Sequence, residues 1–517
     1  MVELAGYHVT DPGRRQPLSG EPANRDDRRS SRWRKRASGR TKSVLPVATL
    51  RSGRVPSVAE VSPYGIVGVS PSRYLERDPF PPYIGRDMDH LLDQLLRQRG
   101  VALVTGASKA GKSRTAFEAV RRVFPASKFI VPTSCTKALT SLLGDPPFGR
   151  SPDPPVLWLD ELDRFLGNVT GFDHALLDWL ERGDGRMVIV GTVNLIRRKD
   201  VLGTEGPIGR AARLLLEHAD QILLPTHPSR RERADAERLY PDQQFVRGIG
   251  EELVGTAALE REYDAGRTAA PIGWALLQAA VDWRRAGMLR PIPEADLRDL
   301  YPRYLDAVVP TAAQHAEGLA WACRRLAPQI ALLRMTGRPR FPSFRPFDHI
   351  VAYADWHVSG PARRIPNGSW EVIVARTTPE EAARVGFTAY TRGDHPAADA
   401  AWSRASASGD QEVAPWAAQQ LRELRGRPRH TGRARLALER LREPRRSASV
   451  ASYNHPVEAA SETPNLGGPL ARLGGLPNAR PRALEYVLAA RRPEAPPVAG
   501  RTADLPPEEK DRDGNGS

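Results

Sequence analysis

The sequence predicts an α/β domain built on a five-stranded parallel sheet between helices, then an all-α segment and a short helical hairpin, with polar tails at both ends. Three observations carry this expectation. Short apolar runs at 101–105, 129–131, 156–159, 187–190 and 222–224 alternate with helix-forming stretches, the pattern of strands covered on both faces by crossover helices. From about residue 228 apolar residues recur at helical spacing, as in Trp274, Leu277 and Val281 or Leu297, Leu300 and Tyr304. Both ends are rich in Arg, Pro, Gly and Ser, a composition that buries little apolar surface.

The domains read as a basic extension at 1–74, the α/β domain at 75–227, the helical domain at 228–350, a helical segment at 351–425 and a mostly disordered tail at 426–517. A hydrophobic content of 40% over 517 residues is enough for a core in the central part. The formal charge is +15. It fits an anionic partner, nucleic acid or membrane surface, and equally a codon bias that favours arginine. With two cysteines, Cys135 and Cys323, far apart, a disulfide framework and a zinc site are both excluded, and a reducing, cytoplasmic setting is expected. No apolar run approaches the ~20 residues that cross a bilayer, so no membrane insertion is expected.

In chain order, the basic cluster at 28–40 with Trp33 reads as a solvated tail or as an arm for nucleic acid or acidic lipid. Ile84, Gly85, Arg86 and Asp87 form a turn before a helix marked by Met88, Leu91, Leu92, Leu95 and Leu96; Asp87 also suits the start of that helix. The 101–105 strand then runs into Gly106, Ala107, Ser108, Lys109, Ala110, Gly111, Lys112 and Ser113, and Arg114 opens an amphipathic helix. This matches G-x-x-x-x-G-K-[ST] in its proper strand-to-helix context.

Small residues let such a loop wrap a phosphate chain and aim its backbone N–H groups at the oxygens, helped by the positive end of the following helix. Lys112 is placed to reach the β- and γ-phosphates, and the Ser113 hydroxyl to become a ligand of Mg²⁺. Downstream, the 156–159 run ends in Asp160 and Glu161. A buried strand that ends in two acids suits Asp160 as the carboxylate of the Mg²⁺ shell and Glu161 as the residue that polarises the attacking water. Thr192 and Asn194 follow the 187–190 strand, at the edge where ligands of parallel sheets sit. They are candidates for the γ-phosphate or the water. Arg197, Arg198, Arg210 and Arg213 are nearby, and none of them is singled out as a charge-stabilising arginine. His227 reads as a capping or surface residue.

Within 378–425, Gly386, Ala389, Ala397, Ala398, Ala401 and Ala405 stand at close-packing positions, with Trp402 among them and a Gly393-Asp394 turn between. These are marks of a tetratricopeptide-like hairpin. One unit cannot bury its own face, so it must lean on the rest of the chain or on a partner. Short helices are expected at 431–442 and 481–491.

These residues together resemble the STAND branch of the P-loop ATPases, more narrowly the AAA-like actinobacterial type that precedes tetratricopeptide-like repeats. The resemblance rests on Tyr83-Ile84-Gly85-Arg86-Asp87, on the loop from Gly106, on Leu157-Trp158-Leu159-Asp160-Glu161-Leu162, and on Ala280-Val281-Asp282-Trp283-Arg284-Arg285-Ala286-Gly287. It covers about 75–425. It implies an ATP-dependent switch in signalling, regulation or defence, with Ile84, Gly85, Arg86 and Arg114 added to the nucleotide-binding set and ATP with Mg²⁺ as cofactors. No Met-His-Asp type motif stands in the helical domain, no long repeat array follows, and Asn194 stands where related chains often carry an arginine.

Three readings follow. The first is a slow ATPase switch that is a homo-oligomer when ATP-bound and meets a protein partner through 378–425. The second is a nucleotide-stabilised scaffold that binds the same partner without useful hydrolysis. The third is a DNA-associated ATPase that uses the basic arm.

Overall fold

The computed structural model describes residues 7–9, 47–50 and 54–426, apart from 65, 76–80, 184, 306–309, 328 and 357–363. The arm at 28–40 and the helices expected at 431–442 and 481–491 lie outside the described residues. The chain divides into units 1–446 and 447–517, and the described residues belong to the first.

Strands β1 (Val101–Gly106), β2 (Phe129–Ile130), β3 (Val156–Leu159), β4 (Val188–Asn194) and β5 (Asp220–Leu223) form one sheet in the order β2-β3-β4-β1-β5. Every ladder is parallel, so each connection must cross back over a face of the sheet. Helices α1 (Asp89–Arg97), α2 (Lys112–Val123), α3 (Lys137–Gly144), α4 (Phe172–Arg182), α5 (Leu195–Leu202) and α6 (Arg210–His218) provide the cover. The period of two sorts the strand residues. Trp158 and Val156 join Phe117, Phe129 and Leu92 on one face, while Leu157 and Leu159 join Leu176 and Leu215 on the other.

The N-terminal extension is corrected at its inner end. Val58, Val61 and Val67 are buried with Phe117 and Trp158, and the Trp158 indole donates to the Val67 carbonyl at 3.0 Å. Apolar residues spaced too irregularly for a helix or strand still cover a sheet face here, so segment 54–75 belongs to the folded body.

Helices α7 (Arg230–Leu239), α8 (Ile249–Val254), α9 (Thr256–Ala269) and α10 (Pro271–Arg285) follow. The helical spacing is realised in α10, which is buried nearly all round. Beyond it the spacing of Leu297 and Leu300 is realised in a helix, beside a small sheet that periodicity did not signal. Strand β6 (Ile292–Pro293), helices α11 (Glu294–Leu300) and α12 (Ala312–Cys323), and the hairpin β7 (Leu333–Arg338) and β8 (Phe341–Pro346) form a helix pair beside a three-stranded antiparallel sheet, ordered β7-β8-β6. The hairpin buries little beyond Leu333, Phe344 and Pro346, and its arginines and prolines hide the alternation.

The chain closes with α13 (Asp348–Trp356), α14 (Asn367–Ala375), α15 (Pro379–Thr391), α16 (His395–Ser406) and α17 (Val413–Arg425). A Thr378–Glu381 capping box starts α15, and the Asp394 carboxylate caps α16. Trp402 is fully buried between α15 and α16 and donates to the Ala383 carbonyl at 3.1 Å. The hairpin leans on the sheet domain through Phe387. Gly167 faces that ring at a φ of +62°, where a Cβ would lie 2.2 Å from it. Among the described residues no helix is long and apolar enough to cross a membrane.

Candidate nucleotide site

The loop that joins β1 to α2 lies at the carboxyl end of the sheet, with β1 paired to β4 on one side and β5 on the other. Lys112 opens α2 and its Nζ donates to the Ala107 carbonyl at 2.7 Å, across the loop. Burial pulls its pKa down to about 8, although the nearby Asp160 carboxylate opposes the change. Ser108 and Lys109 face the helical side of the cleft. Lys109 Nζ donates to Ser70 Oγ and stands over the Phe347 ring at 5.0 Å. Ser108 Oγ lies 3.3 Å from His349 Nδ1.

Asp160 follows directly on β3. Its Oδ1 accepts from Ser113 Oγ at 2.7 Å and from Thr192 Oγ1 at 2.7 Å. Thr192 Oγ1 in turn accepts from the Glu161 amide at 2.9 Å. Parallel pairing sets Leu159 opposite Gly191, and this register brings the three oxygens together. Burial, and next the charge of Glu161, push the Asp160 carboxyl up from its ordinary value. Segment 66–75 packs over it so closely that a Cβ on Gly68 would fall 2.0 Å from Asp160 Oδ2. A half-buried carboxylate with two hydroxyls is an all-oxygen donor set, which suits a magnesium ion that also takes phosphate oxygens.

Glu161 turns away from this cluster. Its backbone is left-handed at φ +51°, and its carboxylate meets Arg284 Nη2 at 2.7 Å and Arg164 Nη1 at 3.7 Å. Arg284 stands in the Asp282-Trp283-Arg284-Arg285-Ala286-Gly287 stretch at the end of α10. Its neighbour Arg285 is fully buried against Asp282 at 2.6 Å and Asp355 at 2.5 Å, and Arg392 reaches Asp355 at 2.6 Å. Burial opposes ionisation of Asp355, yet Arg392 and Arg285 hold its pKa down at about 2. Arg384 donates from α15 to the Gly287 carbonyl at 3.0 Å. The long-range contacts of this stretch therefore tie α10 to the sheet domain, to α13 and to α15.

The residues of the upstream turn behave differently. Arg86 is buried, and its guanidinium is spent on Glu232 at 3.0 Å, the Ala110 carbonyl at 2.8 Å and the Pro225 carbonyl at 2.9 Å. It braces the loop from behind. Arg114 is likewise engaged, with Tyr64 at 2.9 Å and the Pro81 carbonyl at 3.2 Å. Ile84 lines the cleft's edge, packed with Tyr240, Phe245 and Ile249 as an apolar wall, and Gly85 is not part of the lining. The Asn194 carboxamide oxygen accepts from the Ile196 amide at 2.9 Å and caps α5. His227 makes no part of this geometry, and Arg197 pairs with Asp163 and Asp200.

Sequence reasoning gave no role to Arg284, Arg384 or His349. An acid and a histidine do stand in the helical part, as Asp348-His349 in the opposite order to the motif sought. His349 Nε2 bonds Glu260 Oε1 at 2.7 Å, and burial lowers its pKa although Glu260 opposes the change. The signal available was the Arg284-Arg285 pair within a motif already noticed. The cleft between the two walls encloses about 260 Å³.

No family model matches the chain, and no curated protein matches it. Among solved structures, the Orc1 protein of Aeropyrum pernix in complex with DNA is similar at 14% identity and a TM-score of 0.26, over 54% of this chain and 94% of that one. A Signal Transduction ATPase with Numerous Domains protein with a tetratricopeptide repeat sensor, from Pyrococcus horikoshii, is similar at 13% identity and a TM-score of 0.26, over 66% of this chain and 56% of that one. The P-loop nucleotide-binding fold stands here on the strand order and on the strand–loop–helix around Lys112.

Proposed function

We propose that the chain binds Mg-ATP and acts as a slow ATPase switch, held off in the closed form by its own helical domain. The observation that carries this reading is the Glu161 carboxylate held 2.7 Å from Arg284. In this role the loop amides from Ala107 to Ser113 and the start of α2 cradle the phosphates, Lys112 neutralises the β- and γ-phosphates, and the Ile84 wall receives the base. Ser113 and Asp160 hold the magnesium ion, which neutralises charge on the phosphate oxygens when bound. Thr192 fixes Asp160 and the backbone of Glu161. Arg86 and Arg114 brace the loop rather than touch the nucleotide.

Glu161 orients the attacking water only after its carboxylate leaves Arg284. Because the same stretch is tied to α13 and α15, a protein partner docked on the 378–425 helices is placed to bias that release. Assembly into a homo-oligomer with ATP bound belongs to the open form. The test is phosphate release from Mg-ATP by the wild type, Lys112→Ala and Glu161→Gln, with mass determination beside a slowly hydrolysed ATP analogue. Lys112→Ala loses binding, and Glu161→Gln binds and assembles without turnover. Normal turnover by Glu161→Gln removes the role given to that residue. Binding by the wild type with no release above the Lys112→Ala background favours the scaffold.

A further inference from the structure

Residues 324–347 contain six arginines and no acidic residue. Two of them lie apart from the ribbon face: Arg324, which pairs with Glu262, and Arg325. The remaining four, Arg334, Arg338, Arg340 and Arg345, belong to the β7–β8 hairpin, and the register sorts them. Residues directly opposite in an antiparallel pair share a face, so Arg334 with Arg345, Thr336 with Ser343, and Arg338 with Phe341 make up one side of the ribbon. Arg340 stands beside them in the turn. Arg334, Arg338 and Arg340 are exposed and form no ion pair with a described residue, and Phe341 is 77% exposed at the tip.

Such a face costs stability. Like charges directly opposite one another on a ribbon repel; Arg345 is balanced by the charge of Asp348 just past the hairpin, whereas Arg334, Arg338 and Arg340 have no such partner among the described residues. We propose that this hairpin is a contact surface for duplex DNA, with Arg334, Arg338 and Arg340 on backbone phosphates and Phe341 against the bases.

Four features favour a duplex. A two-stranded ribbon has the width that a DNA groove admits. The cations are all arginine, whose planar fork suits phosphate, and Ser343 adds the hydroxyl type common in backbone contacts, while the Thr336 hydroxyl donates within the ribbon to the Ser343 carbonyl. An exposed apolar ring at the tip suits insertion beside a base step. An anionic lipid surface calls instead for one continuous apolar face, whereas Phe341 and the exposed Met335 lie on opposite sides of the ribbon. The inference is independent of the ATPase reading, since no residue of the phosphate loop takes part.

The experiment measures binding of the full chain to a short DNA duplex over a range of salt. It compares the wild type, Arg334→Ala/Arg338→Ala, Phe341→Ala, a variant with the arginines of 28–40 replaced by serine, and Lys112→Ala. The hairpin double variant is expected to lose affinity at least about tenfold, and its salt slope to fall by about 1.8 from the loss of two phosphate contacts. Phe341→Ala weakens binding with the slope unchanged. The arm variant and Lys112→Ala keep the hairpin's contribution. Unchanged ATP binding by the double variant certifies its fold. Loss of binding with the arm variant alone, an unchanged slope in the double variant, absence of duplex binding by the wild type, or preference for phosphatidylserine vesicles over the duplex each overturn the proposal.

Discussion

The two walls of the cleft are built by different means. On the sheet wall, Asp160 and Thr192 stand at the ends of neighbouring parallel strands and Lys112 and Ser113 open the helix after the loop, so the backbone ladder and the loop set their spacing. On the helical wall, Arg284, His349, Arg384 and Arg392 arrive from α10, α13, α15 and the end of α15, and side-chain pairs hold them in place. A ladder breaks cooperatively, whereas ion pairs break one at a time. The first wall is suited to holding a ligand of fixed geometry, and the second to letting go. A switch needs both.

The largest effect expected is on the sheet wall. Lys112→Ala removes the cation that the phosphates meet, so ATP affinity falls by roughly a hundredfold or more while the fold persists, as calorimetric titration and thermal melting read together. On the helical wall, Asp355→Ala removes one of the two carboxylates that pair with the fully buried Arg285. Breaking a buried pair in this way costs about 3–5 kcal/mol. It appears as a lowered thermal midpoint, and the account adds that basal phosphate release rises. If stability falls and release does not change, the two walls are not coupled through Asp355.

Proton linkage sharpens the contrast. Phosphate binding needs Lys112 charged, and its pKa in the ligand-free chain lies near 8. ATP affinity therefore falls above that pH, by up to about tenfold per pH unit, because binding must take up a proton. On the acid side, Asp160 is raised above the ordinary carboxylate range, so magnesium-dependent affinity is lost at a higher pH than for a solvated aspartate. The smallest effect is at Asn194. As a helix cap its replacement by Ala costs about 1 kcal/mol of stability and leaves phosphate release within about twofold, whereas a group that touches the γ-phosphate loses far more.

Much of the sheet wall was legible because its chemistry is local. The loop residues occupy consecutive positions, Asp160 and Glu161 follow an apolar run, and Thr192 stands just past another. The helical wall was not, because its partners lie far apart in sequence: Glu161 and Arg284, Arg285 and Asp355, Gly287 and Arg384. No spacing rule brings such pairs together. The hairpin at 333–346 was missed for a related reason, since its buried residues are few and its exposed face carries arginine. Segment 54–74 was assigned to the basic extension on composition, although Val58, Val61 and Val67 cover one face of the sheet.

The central claim is that Arg284 restrains Glu161. The most direct measurement is the basal rate of phosphate release by Arg284→Ala and by Arg284→Ala/Glu161→Gln, beside the wild type and at saturating Mg-ATP. The account predicts a rise of roughly tenfold in the single variant, equivalent to about 1.4 kcal/mol of restraint removed, and loss of turnover in the double variant. A wild-type rate in Arg284→Ala, or a rise that survives Glu161→Gln, contradicts it.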